Sequence, residues 1–269
     1  MPIHPTAVVD PAAEIHPEAD IGPLTVIQGR VRIGRGTRVI AGAFLFGDTE
    51  LGEDNVIYPG ALIGVDPQDM SYKGEKSRLV VGNRNTFREH TEIHRGTAAT
   101  GETVIGNDGF FMNHCHVAHD CRISDRVIMA GGSLLAGHVH LGERAFLSGN
   151  CVVHQFCRIG TLAMFRGLSG ASRDVPPYCI CDNRGVLRGI NVIGMRRAGI
   201  PSSDINAVRK AFRTIFMHKG NFAAFVARAE QEANGSPMVA TLIEFLRAPT
   251  KRGITMGSST TDPDDGMEG

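Results

Sequence analysis

The sequence predicts a left-handed parallel β-helix of about nine coils, followed by a small α-helical C-terminal domain. Three observations carry that expectation: an apolar residue every sixth position, a small or β-branched residue four positions after it, and a change of period near Ser202. Stepping by six from Ile3 to Phe165 visits 28 positions, of which 25 are large and apolar; Asp69, Glu75 and Ala99 are the exceptions. Neither a helix nor an alternating strand has this period, whereas a solenoid of short strands and turns does. Three hexads close one triangular coil of 18 residues, and coils stack at roughly 4.8 Å.

The first element, the prism, is expected over residues 1–183. Its interior takes one bulky and one small side chain per hexad, as in Ile21 with Thr25 and Leu45 with Thr49. Glycine often follows the bulky residue (Gly22, Gly34, Gly52, Gly82, Gly106), where a tight corner would favour a residue without Cβ. Cys115, Cys121, Cys151 and Cys157 fall on the small inward position and read as reduced, apolar filler rather than ligands or disulfides.

Two polar stretches, 66–78 and 97–103, interrupt the hexads and are expected as loops thrown out from the prism. Phase returns after each one, so neither is a domain boundary. Loops on a rigid scaffold are common carriers of binding residues.

The α-helical domain is expected over 184–252. Ile205, Val208, Phe212, Ile215 and Phe216 follow helical spacing behind a Ser202 or Ser203 cap. Asn221 to Glu232 and Met238 to Arg247 give two further helical patterns. Residues 253–269, poor in apolar side chains toward the end, are expected as a disordered tail.

Composition narrows the function. No apolar run approaches the roughly 20 residues of a membrane span, no secretory signal is seen, and the cytoplasm is the expected compartment. The net charge is zero over 269 residues, yet Phe156 to Gly220 holds 11 Lys and Arg against three Asp. Such a basic end suits an acidic or phosphorylated partner. Nucleic acid is not expected, because no recognition motif accompanies the charge.

Eight of the 11 histidines lie between His90 and His154. Ala118-His119-Asp120, Ala136-Gly137-His138 and His154-Gln155-Phe156 recur one coil apart, so they stack. His119, Gly137 and Gln155 share one column, and Asp120, His138 and Phe156 the next. Neither column is an inward position, so these side chains are expected on a corner or pointing outward. His119 is the natural general base, since imidazole titrates near working pH. Asp120 can fix its tautomer, the Gly137 amide can meet an oxyanion, and His138, His154 and Gln155 can hold hydroxyls or phosphates. A zinc site built from His116, His119 and His138 is the competing metal reading; the reading preferred here has no metal.

The segments IHRGT (93–97), HVAHDC (116–121), LAGHV (135–139), VHQFC (153–157), DVPPY (174–178) and GINVIGMRR (189–197) resemble the UDP-N-acetylglucosamine O-acyltransferases of lipid A biosynthesis over about residues 1–250. The resemblance implies a homotrimer with sites between neighbouring prisms. It also implies transfer of a 3-hydroxyacyl chain from acyl carrier protein to the glucosamine 3-position of UDP-N-acetylglucosamine, with no cofactor beyond the thioester co-substrate. By that likeness His119, Asp120 and Gly137 are catalytic. Asp69, His116, His138, His154, Gln155, Asn191 and Arg197 bind nucleotide sugar or acyl donor, and Gly167 is the acyl-chain ruler. Ser71, Arg184, Ile193 and Ala198 depart from the family pattern. Two other functions are carried alongside: an acetyl-CoA-dependent acetyltransferase of the same fold, and a non-enzymatic scaffold binding acyl carrier protein.

Overall fold

A computed structural model of the chain describes residues 3–183, 185–218 and 220–257. Short strands run round a left-handed prism with three walls, formed by sheets of 9, 8 and 10 strands. Within each wall successive coils pair in parallel, His116 with Leu134 and Leu134 with Val152, apart from one antiparallel pair at the end of the prism. The large residue of each hexad fills the interior, where Ile57, Phe87, Phe111, Leu135 and Phe165 are fully buried. Phe87 and Phe111 stack with ring centroids 5.0 Å apart. All six cysteines are buried and free. Burial pushes the Cys115 and Cys121 thiols up to about 12, well away from the reactive thiolate range.

The corner chemistry differs from expectation. Gly34 and Gly82 are needed because coils pack closely there: a Cβ would stand 2.5 Å from the Gly52 carbonyl oxygen and 2.6 Å from that of Gly106. The left-handed turn falls two residues later. Its occupants include Asp120 (φ 60°), His138 (φ 61°) and Phe156 (φ 66°). The second polar column therefore occupies the strained corner of the prism, where non-glycine residues carry a conformational cost.

Both expected loops are present, with strands resuming at Arg78 and Glu102. Arg95 anchors the first of them. Its guanidinium donates to the Gly64 carbonyl (2.7 Å), to the Tyr72 hydroxyl (3.2 Å) and to the Asp66 carboxylate.

The end of the prism runs past residue 183. Cys179–Cys181 and Leu187–Ile190 form an antiparallel pair on one wall, so a boundary at 183 would cut a hairpin. Among the described residues four helices follow: α1 (Val192–Arg197), α2 (Ser202–Phe216), α3 (Phe222–Gln231) and α4 (Pro237–Arg247). The short α1 was not legible as a helical period. The N-cap of α2 is Pro201, without a side-chain cap bond, rather than Ser202 or Ser203. The first residues of the expected tail are ordered. The Gly253 carbonyl accepts from Asp174 N (2.9 Å), Thr255 N donates to the Asp174 carbonyl (2.8 Å) and the Met256 carbonyl accepts from Leu187 N (3.0 Å), so 253–257 pair with the prism end. Residues 258–269 and Arg184 lie outside the described residues. No helix among the described residues is long and apolar enough to cross a membrane.

Candidate active site

Three successive coils place the polar columns on one corner. Backbone N–H of His138 donates to the His119 carbonyl (3.0 Å), and that of Phe156 to Gly137 (3.1 Å), locking the register. At the centre, His119 Nδ1–H donates to Asp120 Oδ2 at 2.7 Å. His138 Nε2 lies 3.6 Å from the same oxygen, with its ring edge-on to that of His119. Phe156 stacks on His138 at 4.5 Å, and Lys251 Nζ lies 4.5 Å over the Phe156 ring.

These side chains are not simply outward. The Asp120 side chain is fully buried and that of His119 is 11% exposed, because the two loops fold over the corner. Thr97 donates to Asp120 twice, from N (3.0 Å) and Oγ1 (2.8 Å), and Thr100 donates from its hydroxyl. Burial pushes the Asp120 carboxyl up, but the bonds from Thr100, His119 and Thr97 outweigh it and hold the group at about 2. Burial likewise holds His138 below the ordinary imidazole value, against the pull of Asp120.

From the other loop, Asp69 Oδ2 faces His119 Nε2 at 3.7 Å. Ser71 donates to Asp69 Oδ1 from both N and Oγ at 2.8 Å, and these bonds lower the Asp69 carboxyl. The departure at Ser71 thus has a local role: it orients Asp69. Gly137 sits against the His119 ring, where a Cβ would come within 2.5 Å of Cε1 and 2.7 Å of Nε2. Among the described residues, the Gly137 N–H has no acceptor.

Chemically, this corner can do acid–base work. An ionised Asp120 fixes the Nδ1–H tautomer, leaving Nε2 to accept a proton. Asp69, His119, Asp120, Gly137 and His138 are brought together. His116 turns to a neighbouring cluster, donating from Nδ1 to Glu92 Oε2 at 3.0 Å. The convergent groups are Glu92 with His94 and His116, and His119 with Asp120 and His138, so the expected alternative zinc set of His116, His119 and His138 is not assembled. The reason is position: His116 lies on the wall of the prism, two residues before the corner begins.

Other expected residues lie apart. His154 and Gln155 are exposed one coil beyond Gly137. Asn191 is buried and has a structural role: its Oδ1 caps α1 by accepting from Gly194 N (2.9 Å) and its Nδ2 donates to the Leu162 carbonyl (2.9 Å). Arg197 is exposed in the last turn of α1. Ile193 is exposed on the same helix and Ala198 caps its end. Gly167 follows the strand Met164–Phe165 of a different wall, so it lies on another corner from His119. Sequence reasoning missed Thr97 and Thr100 as partners of Asp120; the lost hexad phase at 97–103, and for Thr97 the IHRGT segment, were the available signals.

Comparison with known proteins decides the family. A curated relative from Anaeromyxobacter sp. (strain Fw109-5), an acyl-[acyl-carrier-protein]–UDP-N-acetylglucosamine O-acyltransferase, is 46% identical over 257 residues, covering 95% of this chain and all (100%) of the relative. The chain belongs to the UDP-N-acetylglucosamine O-acyltransferase family. A relative of the same name from Thermodesulfovibrio yellowstonii is 43% identical, covering 94% of this chain and 98% of its own. The family model described as "Udp N-acetylglucosamine O-acyltransferase; Domain 2" matches residues 174–255, a span that takes in the prism end, the four helices and the paired segment 253–255. The crystal structure of the UDP-N-acetylglucosamine acyltransferase from Bacteroides fragilis superposes with a TM-score of 0.91 at 37% identity, covering 94% of this chain and 99% of that one. The Francisella novicida enzyme also gives 0.91, at 32% identity, covering 97% and 95%. Like these relatives, the chain is an acyltransferase.

Proposed function

We propose that the protein transfers a 3-hydroxyacyl chain from acyl carrier protein to the 3-hydroxyl of the glucosamine in UDP-N-acetylglucosamine, the first step of lipid A biosynthesis. The observation that carries the chemistry is the His119–Asp120 pair, in which Asp120 occupies Nδ1 and leaves Nε2 to act as base. In this reading Nε2 takes the proton of the sugar hydroxyl as its oxygen attacks the thioester carbonyl. The Gly137 N–H meets the oxyanion. As the tetrahedral intermediate collapses, the thiol of the carrier leaves with the proton returned by His119. Asp69 faces the same nitrogen and would steady the imidazolium or orient the hydroxyl. Acyl transfer from a thioester needs no cofactor.

We take the active form to be a homotrimer. The outer rows of two walls are apolar over part of their length: Val8, Phe44, Leu134 and Val152 are 63%, 37%, 42% and 48% exposed on one, which is interrupted by Glu92 and His116, and Val56, Phe110, Ile128, Phe146 and Met164 line much of the other beyond Asp20 and Arg38. The third wall carries Glu14, Arg32, Glu50, Arg122, His140 and Arg158. Two faces with long apolar rows and one charged face on a three-sided prism suit a closed ring of three copies. Such a ring also offers the Gly167 corner of one copy to the His119 corner of the next, which one chain alone does not do. His154, Gln155 and Arg197, exposed here, would then contact substrate in the cleft.

The acidic carrier would dock at the helical end, where Arg166, Arg173, Arg196, Arg197, Lys210 and Arg213 are exposed. Six buried free thiols fit a reducing compartment, and we place the protein in the cytoplasm.

The test is an assay of the purified protein with UDP-N-acetylglucosamine and paired donors, 3-hydroxyacyl carrier protein against acetyl-CoA. Turnover is expected with the carrier thioester and lost in His119→Ala, which should keep its oligomeric state. Preference for acetyl-CoA, or a near-normal rate in His119→Ala, would overturn the reading. Binding of the carrier without turnover of any donor would favour the scaffold.

A further inference from the structure

A second cluster lies beside the catalytic corner, on the wall of the prism. His94 Nδ1 is 2.6 Å from the Asp66 carbonyl oxygen. A carbonyl only accepts, so Nδ1 carries the proton and Nε2 of the neutral ring is a lone pair. That Nε2 is buried and has no hydrogen-bond partner, in a side chain 2% exposed. It faces Glu92 Oε1, another acceptor, at 3.4 Å. Burial favours the neutral ring, holding His94 below the ordinary imidazole value. The other carboxylate oxygen, Oε2, is 3.0 Å from His116 Nδ1, and the two imidazole rings are 4.9 Å apart.

Two lone pairs aimed at each other, one on a buried nitrogen and one on a partly exposed carboxylate, call for a cation between them. We propose that Glu92, His94 and His116 form a binding site for a zinc-like divalent transition metal, with one coordination position left for water. The donor atoms of the three residues lie within 4.8 Å of one another. Ligands about 2.1 Å from a tetrahedral zinc stand roughly 3.4 Å apart, which matches the Glu92–His94 separation. Two imidazoles and a carboxylate suit zinc better than a hard cation such as magnesium. The Nδ1–H of His94 on a backbone carbonyl is the outer bond that usually orients a metal-binding histidine. His116 joins by moving its proton from Nδ1 to Nε2, so binding does not require loss of an imidazole proton.

The metal takes no part in acyl transfer. Its role follows from Asp66, which His94 holds through the carbonyl and Arg95 through the carboxylate. Fixing His94 fixes the root of the loop that carries Asp69.

The experiment is titration of the full-length, chelator-treated protein with Zn2+ by calorimetry and with Co2+ by visible absorption, in wild type, Glu92→Gln, His94→Gln and His119→Ala. One equivalent per chain with a tetrahedral cobalt spectrum is expected in wild type and His119→Ala, with affinity at least about tenfold weaker in the other two. Circular dichroism shows whether each variant folds, and Glu92→Gln alone suffices if His94→Gln does not. Absence of stoichiometric binding would overturn the site. So would binding unaffected by Glu92→Gln, or lost in His119→Ala, which would put the metal at the catalytic corner instead. No readout depends on acyl transfer, so failure here leaves the proposed reaction standing.

Discussion

His119 Nδ1 and Asp120 Oδ2 stand 2.7 Å apart although the two residues are consecutive. Neighbours on an extended strand point to opposite faces. Asp120 escapes that rule by adopting φ of 60°, which brings its carboxylate back to the ring before it. The pair is therefore a product of the corner, and its consequences can be tested.

Asp120→Asn should leave the backbone turn intact, because asparagine tolerates the left-handed region well. An amide no longer enforces the Nδ1–H tautomer. The turnover rate is expected to fall about 10²- to 10⁴-fold, with an unchanged circular dichroism spectrum and a smaller effect on KM.

Gly137→Ala should displace the His119 ring, the base of the proposed reaction, without unfolding the prism. Its new Cβ would contact His119 Cε1 and Nε2 at 2.5 and 2.7 Å, and the ring must give way. A displacement of this kind costs about 10²-fold in kcat. Steady-state kinetics, with thermal unfolding as the control, would check it.

Acid should destabilise the fold through Asp120. Its pKa is about 2 in the fold against an ordinary 3.8, so the folded state favours the charged form. That contribution is complete above the ordinary value and is lost as pH falls through the folded value. Urea midpoints measured between about pH 4 and pH 2 should drop, and drop less steeply in Asp120→Asn. Thr97→Val, which removes the Oγ1–H donor, should raise the Asp120 pKa and lower stability at neutral pH by about 1–3 kcal/mol.

Gly167→Met should alter acyl choice and little else. The glycine is exposed, and a Cβ there meets only the Gly149 carbonyl oxygen, at 3.9 Å. Stability is expected to change by about 0.5 kcal/mol or less. Product masses from a mixed pool of acyl carrier protein thioesters should shift toward shorter chains.

Much of this was legible in the residues. The hexad phase gave the prism, and the 18-residue spacing of the three triplets gave the register of the corner before any coordinate. What stayed hidden depended on contacts distant in sequence. Thr97 reaches Asp120 across 23 positions, and His94 reaches Asp66 across 28, through loops whose path no period encodes. Asn191 is a related case: its motif pointed to substrate, and the fold adds a structural duty, with one bond to α1 and one to the Leu162 carbonyl. Composition misled at 253–257 as well, because the pairing of that segment with Asp174 and Leu187 uses backbone groups that composition does not reveal.

The one-coil register has a further meaning. When His116 pairs with Leu134 and Leu134 with Val152, each coil is a copy of the last displaced along a single axis. Length is then a nearly independent variable of the molecule. Removing one whole coil ahead of the first loop would shorten the prism and leave every later residue on its own wall. Removing a single residue there would rotate all that follows out of place. Chains of this kind can gain or lose whole coils while the chemistry at one corner stays as it was.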